Sequence, residues 1–419
     1  MMQIHPIEFN LDAQHKANMQ AATKQMQDLI ARVSQWQEYR LLAQVDRNTL
    51  ISEGFANDLV DNLVYLTARV VGGDDNQGVG QNASQDVRKG KDQHSIGFTE
   101  TAFDPSLYAQ PKIAEQLSSA SKGTCYWCES TIDSTSVDAS QNVAHFRPPA
   151  GYQEGNNLKR DAYYALAYDE DNLLLSCGKC SEQHKSLVFP TIDAQHMPKV
   201  SLSEEKPVLI NPRTEQPRGY IRFNPLNGYA YPYDQVKAFY MQGGASFLQV
   251  DAEELTEADI EDKLWQSPNK IPLQQDSKGN ALSAPELDNA FRGWLHSLTA
   301  ERSAELSRGE QSIKLLGLNR PSLVRARLAH LLMLHGVFLE KALTKTAASE
   351  GEENQQENQQ ENQQEIPLNQ FRSLSLDAIN TWSRDYSSST QLQSENNAQN
   401  NEELEEEADQ SSSNKGSKD

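Results

Sequence analysis

Cys125-Tyr126-Trp127-Cys128-Glu129 and Cys177-Gly178-Lys179-Cys180 contain all four cysteines of the 419-residue chain, in two Cys-x-x-Cys pairs with forty-eight residues between them. Four soft thiolates in two knuckles match tetrahedral zinc, which prefers sulfur and nitrogen donors and has no redox chemistry. Paired cysteines in a chain read as cytoplasmic point to metal rather than to disulfides. A redox thiol pair is the alternative, but neither pair is flanked by the strand and helix of a thioredoxin-like site. A four-sulfur site keeps no open coordination position, so the expected zinc is structural. It pins the ends of the intervening segment together, and the chemistry is expected inside that segment.

Between the knuckles lie Val143-Ala144-His145-Phe146-Arg147-Pro148, then Tyr163-Tyr164-Ala165-Leu166-Ala167-Tyr168, then Asp171-Asn172-Leu173-Leu174-Leu175-Ser176. Ser181, His184, Lys185, Phe189 and Pro190 follow the second pair. The order and spacing of these pieces resemble the zinc-ribbon HNH nucleases, in particular the Septu and retron-associated nuclease subunits (PtuB-like). The matching features are Cys-x-Trp-Cys-Glu, His-Phe-Arg-Pro, the Leu-Ala-Tyr block, Asp-Asn-Leu, and the second pair ending in Phe-Pro. The core of the match runs from Thr124 to Pro190. A weaker echo continues through Leu209-Ile210-Asn211-Pro212 and from Arg308-Gly309 to Leu318-Asn319-Arg320.

The resemblance implies a ββα-metal fold, a hairpin and a helix around one divalent ion. It places His145 as general base, because an imidazole titrating near neutrality can take a proton from the attacking water. Asn172 matches the middle position, where an amide orients the His-bearing loop; a cap on the turn before a strand is its plainer reading. His184 is the candidate metal-side ligand, with Asn172 as a second; a solvent-facing helix residue or a phosphate contact are the alternatives for His184. The ion, Mg2+ or Mn2+, would stabilise the scissile phosphate and the leaving oxygen. Arg147 and Lys185 are candidate phosphate contacts, with a buried structural arginine as the other reading of Arg147. Two positions depart from the family pattern. Ala144 stands where an acidic metal ligand is usual, and Ser181 where Asn or His is common. Ala144 leaves three explanations open: an inactivating substitution, a degenerate nuclease, or a ligand supplied elsewhere.

The fold class read from the chain is mainly α with a small α+β core: a ββα-metal (HNH) nuclease module with a four-cysteine zinc site, flanked by helical domains. Residues 1–71 read as helical, with Asn10 as a cap, Met19, Met26, Leu29, Ile30, Val33 and Trp36 at helical spacing, and Leu59, Leu63 and Leu66 on one face of a second helix. Residues 72–98 read as a flexible linker, whose Arg88, Lys89 and Lys91 are solvated or, if the loop flanks a cleft, meet phosphates. The nuclease module covers 99–200. Short strands are expected at Val208 to Pro212, Tyr220 to Pro225 and Gly228 to Pro232, with helix from Asp259 onward, in a region spanning 201–345. Three copies of Glu-Asn-Gln-Gln mark a low-complexity linker at 346–365, a docked helix is expected over 366–386, and 387–419 read as a disordered acidic tail.

The net charge is −21, of which −12 lies from Thr346 onward, with sixteen acidic and four basic residues there. A broad basic DNA-binding face is therefore not expected, and either a local groove or a partner supplies positive surface. No run of eighteen apolar residues predicts a membrane span, and the N-terminal residues lack a leader pattern, so a cytoplasmic location is expected. The leading function is hydrolysis of DNA phosphodiester bonds. The resemblance further implies antiphage defence beside an ATPase, which must be a separate subunit because the chain has no Walker A pattern. A non-catalytic zinc-ribbon adaptor binding nucleic acid or protein is the alternative, favoured by Ala144 and the acidic balance.

Overall fold

A computed structural model describes residues 7, 9–36, 42–68, 93–132, 142–197, 200–239, 286, 307–349 and 370–384. The basic cluster at Arg88 to Lys91, all but Glu286 of the helical pattern expected from Asp259 to Ala300, most of the 346–365 linker and the 387–419 tail lie outside them. The described residues are helix-rich with four two-stranded sheets.

Helix α1, Ala13–Ser34, buries Met19, Met26, Leu29 and Val33, the face its spacing predicts. Its cap is Asp12 rather than Asn10: the Asp12 carboxylate accepts from His15 N at 2.7 Å, satisfying one of the free amides of the first turn. Helices α2, Gln44–Ser52, and α3, Asn57–Asp61, follow. The expected helix then fails. Leu63–Ala68 is strand β1, antiparallel to β2, Gln93–Phe98, with Leu63 opposite Phe98 and Ala68 opposite Gln93. Part of the expected linker is thus a strand. Val64, Tyr65 and Thr67 suit a pleated surface better than a helix, and the partner strand begins only at Gln93.

A short helix α4, Pro105–Tyr108, leads to α5, Pro111–Ser121, which starts on a proline and buries Ile113, Ala114 and Leu117. The first knuckle follows. Strand β3, Val143–His145, pairs antiparallel with β6, Leu173–Leu175, setting Val143 opposite Leu175 and His145 opposite Leu173. Between them lies the hairpin of β4, Tyr152–Glu154, and β5, Asn157–Lys159. A seven-residue π-helical segment, Lys179–Lys185, continues from the second knuckle.

Two of the three later strands form as expected: β7, Ile221–Phe223, pairs with β8, Ala230–Pro232. Val208 to Ile210 are buried but lie in no strand. Helix α6, Tyr233–Phe239, then α7, Arg308–Leu315, and α8, Pro321–Ser349, complete this region. The stretch Pro321–Lys341 reaches the length and mean apolarity of a membrane span, although Arg325 and Arg327 interrupt it and no continuous run of eighteen apolar residues occurs. In this fold its Leu323, Leu331 and Leu334 pack into the core beside the buried Arg327. The helix expected near the C-terminus forms over 372–384, here α9, with Leu374 and Ala378 buried.

Candidate functional site

The four cysteine sulfurs lie within 4.8 Å of one another, and among the described residues no other group of three or more His, Cys, Asp or Glu ligand atoms converges in this way. Two local structures bring them there. The first knuckle turns tightly after α5, through left-handed residues at Lys122 and Gly123, and closes with Cys125 N donating to Ser130 O at 2.9 Å. The second opens the π-helical segment, with Cys180 N donating to Cys177 O at 2.9 Å. Tyr126 N donates to Leu175 O at 2.9 Å, which ties one knuckle to the strand feeding the other.

Sulfurs at about 2.3 Å from a tetrahedral zinc stand about 3.8 Å apart; Cys128 and Cys177 are 3.7 Å apart. The spacing is far from that of a disulfide, and all four thiols are free. Four thiols this close cannot all ionise without a cation between them. Hydrogen bonding from Cys125 holds Cys128 well below the ordinary thiol range and brings Cys177 down to about 7. Burial raises Cys125, and hydrogen bonding to the other three thiols raises Cys180. The donor set, its spacing and its burial fit a metal ion held by sulfur alone.

His145 ends β3, half-buried, with its ring 4.6 Å from that of Tyr108. Its Nε2 is 2.9 Å from Ala167 O. A carbonyl only accepts, so Nε2 carries the proton and Nδ1 is the basic atom. Burial pushes the pKa down to about 4, away from the near-neutral titration the sequence suggests, and the nearby Lys185 charge adds to this, so the ring is neutral at pH 7 but a weaker base than expected.

Asn172 is buried at the end of a 3₁₀ turn. Its Oδ1 accepts from Arg147 N at 2.7 Å, and its Nδ2 donates to Arg147 O at 2.9 Å and Leu166 O at 3.0 Å. The amide therefore grips both backbone groups of the residue two beyond His145, as an orienting residue would. Both ends of this side chain are occupied by backbone, which leaves it poorly placed as a metal ligand.

The remaining sequence candidates are not gathered with His145 and Asn172 into one ligand set. His184 packs against Gly317, where a methyl group would collide with the imidazole. Burial and the Arg320 charge hold its pKa below the ordinary value. Arg147 Nε pairs with the fully buried Glu205 carboxylate at 2.6 Å, and Tyr163 donates to the same carboxylate. This is the structural reading of Arg147. Lys185 is buried under the rings of Trp127 and Phe189, and burial brings its pKa to about 7. Ala144 has no ligand atom, and no cluster of three or more His, Cys, Asp or Glu ligand atoms among the described residues includes His145. These side chains do not make a divalent-ion site as they stand.

The chain also agrees with a known protein at the level of sequence. One relative, the Septu protein PtuB of Bacillus mycoides (strain KBAB4), is 32% identical over 148 residues, covering 32% of this chain. The chain is similar to the PtuB-like Septu proteins. The matched part is 49% of that relative, so the chain spans about half its length. No family model matches the chain, and no solved structure matches it.

Several partners in the site carry no sequence signal of their own. Tyr108 and Glu205 reach it from outside the knuckles' span, at 37 residues before and 60 residues after His145. Glu129 stands inside the quoted Cys-x-Trp-Cys-Glu motif, yet its role is tertiary: it accepts from Ser373 N at 2.8 Å and Ser373 Oγ at 2.6 Å at the start of α9.

Proposed function

We propose that this chain is an HNH-type endonuclease of a Septu antiphage defence system, hydrolysing DNA phosphodiester bonds, and that its four cysteines hold zinc. The observation that carries the reading is the clamp on His145. Its ring is neutral, its Nε2 proton is spent on Ala167 O, and Asn172 fixes the backbone that follows it. That leaves Nδ1 to take a proton from a water attacking phosphorus. Lys185 is the proposed cation for the scissile phosphate, because a charge in apolar surroundings acts more strongly than one in water. Arg147 supports the same loop through Glu205. A separate ATPase subunit is the proposed partner.

A non-catalytic adaptor is the second reading, and Ala144 is the observation that favours it. Plasmid cleavage by the purified chain in magnesium or manganese separates the two. Wild type should nick or linearise DNA, and His145→Ala should lose at least about a hundred-fold in rate, the usual worth of a positioned general base. Equal rates in wild type and His145→Ala would sink the mechanism. Cleavage only after Ala144→Glu would identify the natural chain as an adaptor that lacks a metal ligand.

A further inference from the structure

The turn joining α7 to α8 lies against the second knuckle, although about 140 residues separate them in sequence. Cys180 Sγ is 3.9 Å from Leu316 O. Gly317, left-handed at φ 56°, lets the turn approach His184 as closely as it does. Arg320 Nη1 reaches Cys180 Sγ at 3.6 Å while also donating to Leu316 O at 3.3 Å and Gly317 O at 3.2 Å. Two turns of helix further on, Arg327 is fully buried. Its Nη1 donates to Leu318 O at 2.7 Å and Gly228 O at 3.3 Å, but its Nε and Nη2 have no hydrogen-bond partner, and neither has Arg320 Nε.

A fully buried guanidinium at Arg327 and a half-buried one at Arg320, neither hydrogen-bonded to a carboxylate among the described residues, would be costly if nothing compensated them. The compensating charge touches Arg320 through Cys180 Sγ, and it acts on Arg327 at longer range together with the Glu129 carboxylate. Four thiolates around one Zn2+ carry two net negative charges, and these two arginines carry two positive ones. We propose that Arg320 and Arg327 are the counter-charges of the cysteine-bound zinc, with Arg320 in direct contact with Cys180. They act as positioning residues that couple metal affinity to docking of the α7–α8 turn. The inference rests on the zinc reading and is independent of whether the chain cuts DNA.

Zinc content of the purified full chain, then chelator competition, tests it. Wild type should hold one zinc. Arg320→Gln should release it at about ten- to a hundred-fold lower chelator concentration, the usual effect of losing a group that supports a metal ligand. Arg320→Lys, which keeps the charge, should retain most of the affinity. Arg308→Gln removes an arginine from the same region that pairs with Glu215 instead, and should leave zinc affinity unchanged. In cobalt-loaded protein, Arg320→Gln should move the thiolate-to-metal charge-transfer band to longer wavelength, because the sulfur loses a neighbouring cation. If Arg320→Gln fails to fold, Arg320→Lys should still shift that band part-way, and an unshifted band overturns the proposal. Identical competition curves for wild type and Arg320→Gln overturn it too, as does an equal loss in Arg308→Gln. A wild-type chain without zinc defeats the zinc reading itself and this inference with it.

Discussion

Lys185 is 3% exposed, and its Nζ stands 6.0 Å from the Trp127 ring and 5.9 Å from the Phe189 ring. Among the described residues no carboxylate or carbonyl accepts from it. The rings offset part of the cost of burying an ammonium group, but burial still brings the pKa down to about 7. A buried ammonium group of this kind costs stability, which is the ground for proposing that it meets phosphate. The consequence is a trade-off between stability and activity. Lys185→Met should raise stability by roughly 2–4 kcal/mol at pH 6 while lowering DNA cleavage. The pH dependence has a definite sign. Between about pH 7 and 10.5 the unfolded chain binds a proton that the folded chain does not, so wild-type stability rises with pH in that window. The variant's advantage should therefore be full below pH 7 and fade toward pH 10. Urea midpoints at pH 6 and pH 9.5 measure it. A variant no more stable than wild type at pH 6 would mean that Nζ is well solvated.

Helix α9 is held by one carboxylate more than by any other group. Asp377 Oδ1 pairs with Arg218 Nη2 at 2.6 Å and Arg222 Nη1 at 3.3 Å, and Oδ2 accepts from Phe223 N at 2.9 Å. Removing it takes the shared carboxylate from the half-buried Arg218 and the buried Arg222, at a cost of about 3–5 kcal/mol. Because α9 reaches the knuckles mainly through Glu129 and Ser373, the loss should appear as local release. In Asp377→Ala, amide protection over 372–384 should fall by on the order of a hundred-fold or more, with the zinc module unchanged. Protection as in wild type would show that the apolar face alone docks the helix. The expectation of a docked helix at 366–386 comes from the return of Leu, Phe and Trp after a polar tract, a purely local signal. The same is true of α1, whose buried apolar residues recur from Met19 to Val33, about four turns. Strand β1 escapes a local reading because Leu59, Leu63 and Leu66 also fall at helical spacing, and only the distant partner β2 decides between the two. The knuckles are legible because four cysteines in two pairs announce a metal site by residue type and spacing, whereas motif order alone singles out His145 and Asn172. The roles of Glu205 and Arg327 are not legible, and Arg320 is marked only as part of the Leu318-Asn319-Arg320 echo, since a salt bridge or a counter-charge across 50 to 150 residues leaves no local pattern.

Charge acts across the whole molecule. The net value of −21 opposes approach to a polyanion, which is the proposed substrate. The acidic excess is concentrated rather than spread: residues 387–419 contain eight acidic and two basic residues. A terminal segment of this sign repels DNA and competes with it for any local basic groove. Ending the chain at Tyr386 keeps α9 and its ion pairs, and moves the net charge from −21 to −15. Deletion from Thr346 would remove α9 as well and mix two effects. The shorter truncation should raise DNA association and cleavage several-fold at about 20 mM salt, where the Debye length is about 20 Å or more. At about 0.5 M salt that length falls below roughly 5 Å, and the two chains should converge. Cleavage rates for both chains across that salt range provide the measurement. A gain that persists at high salt would point to contact occlusion by the tail rather than to charge, and no gain at low salt would remove the tail from the control of the proposed activity.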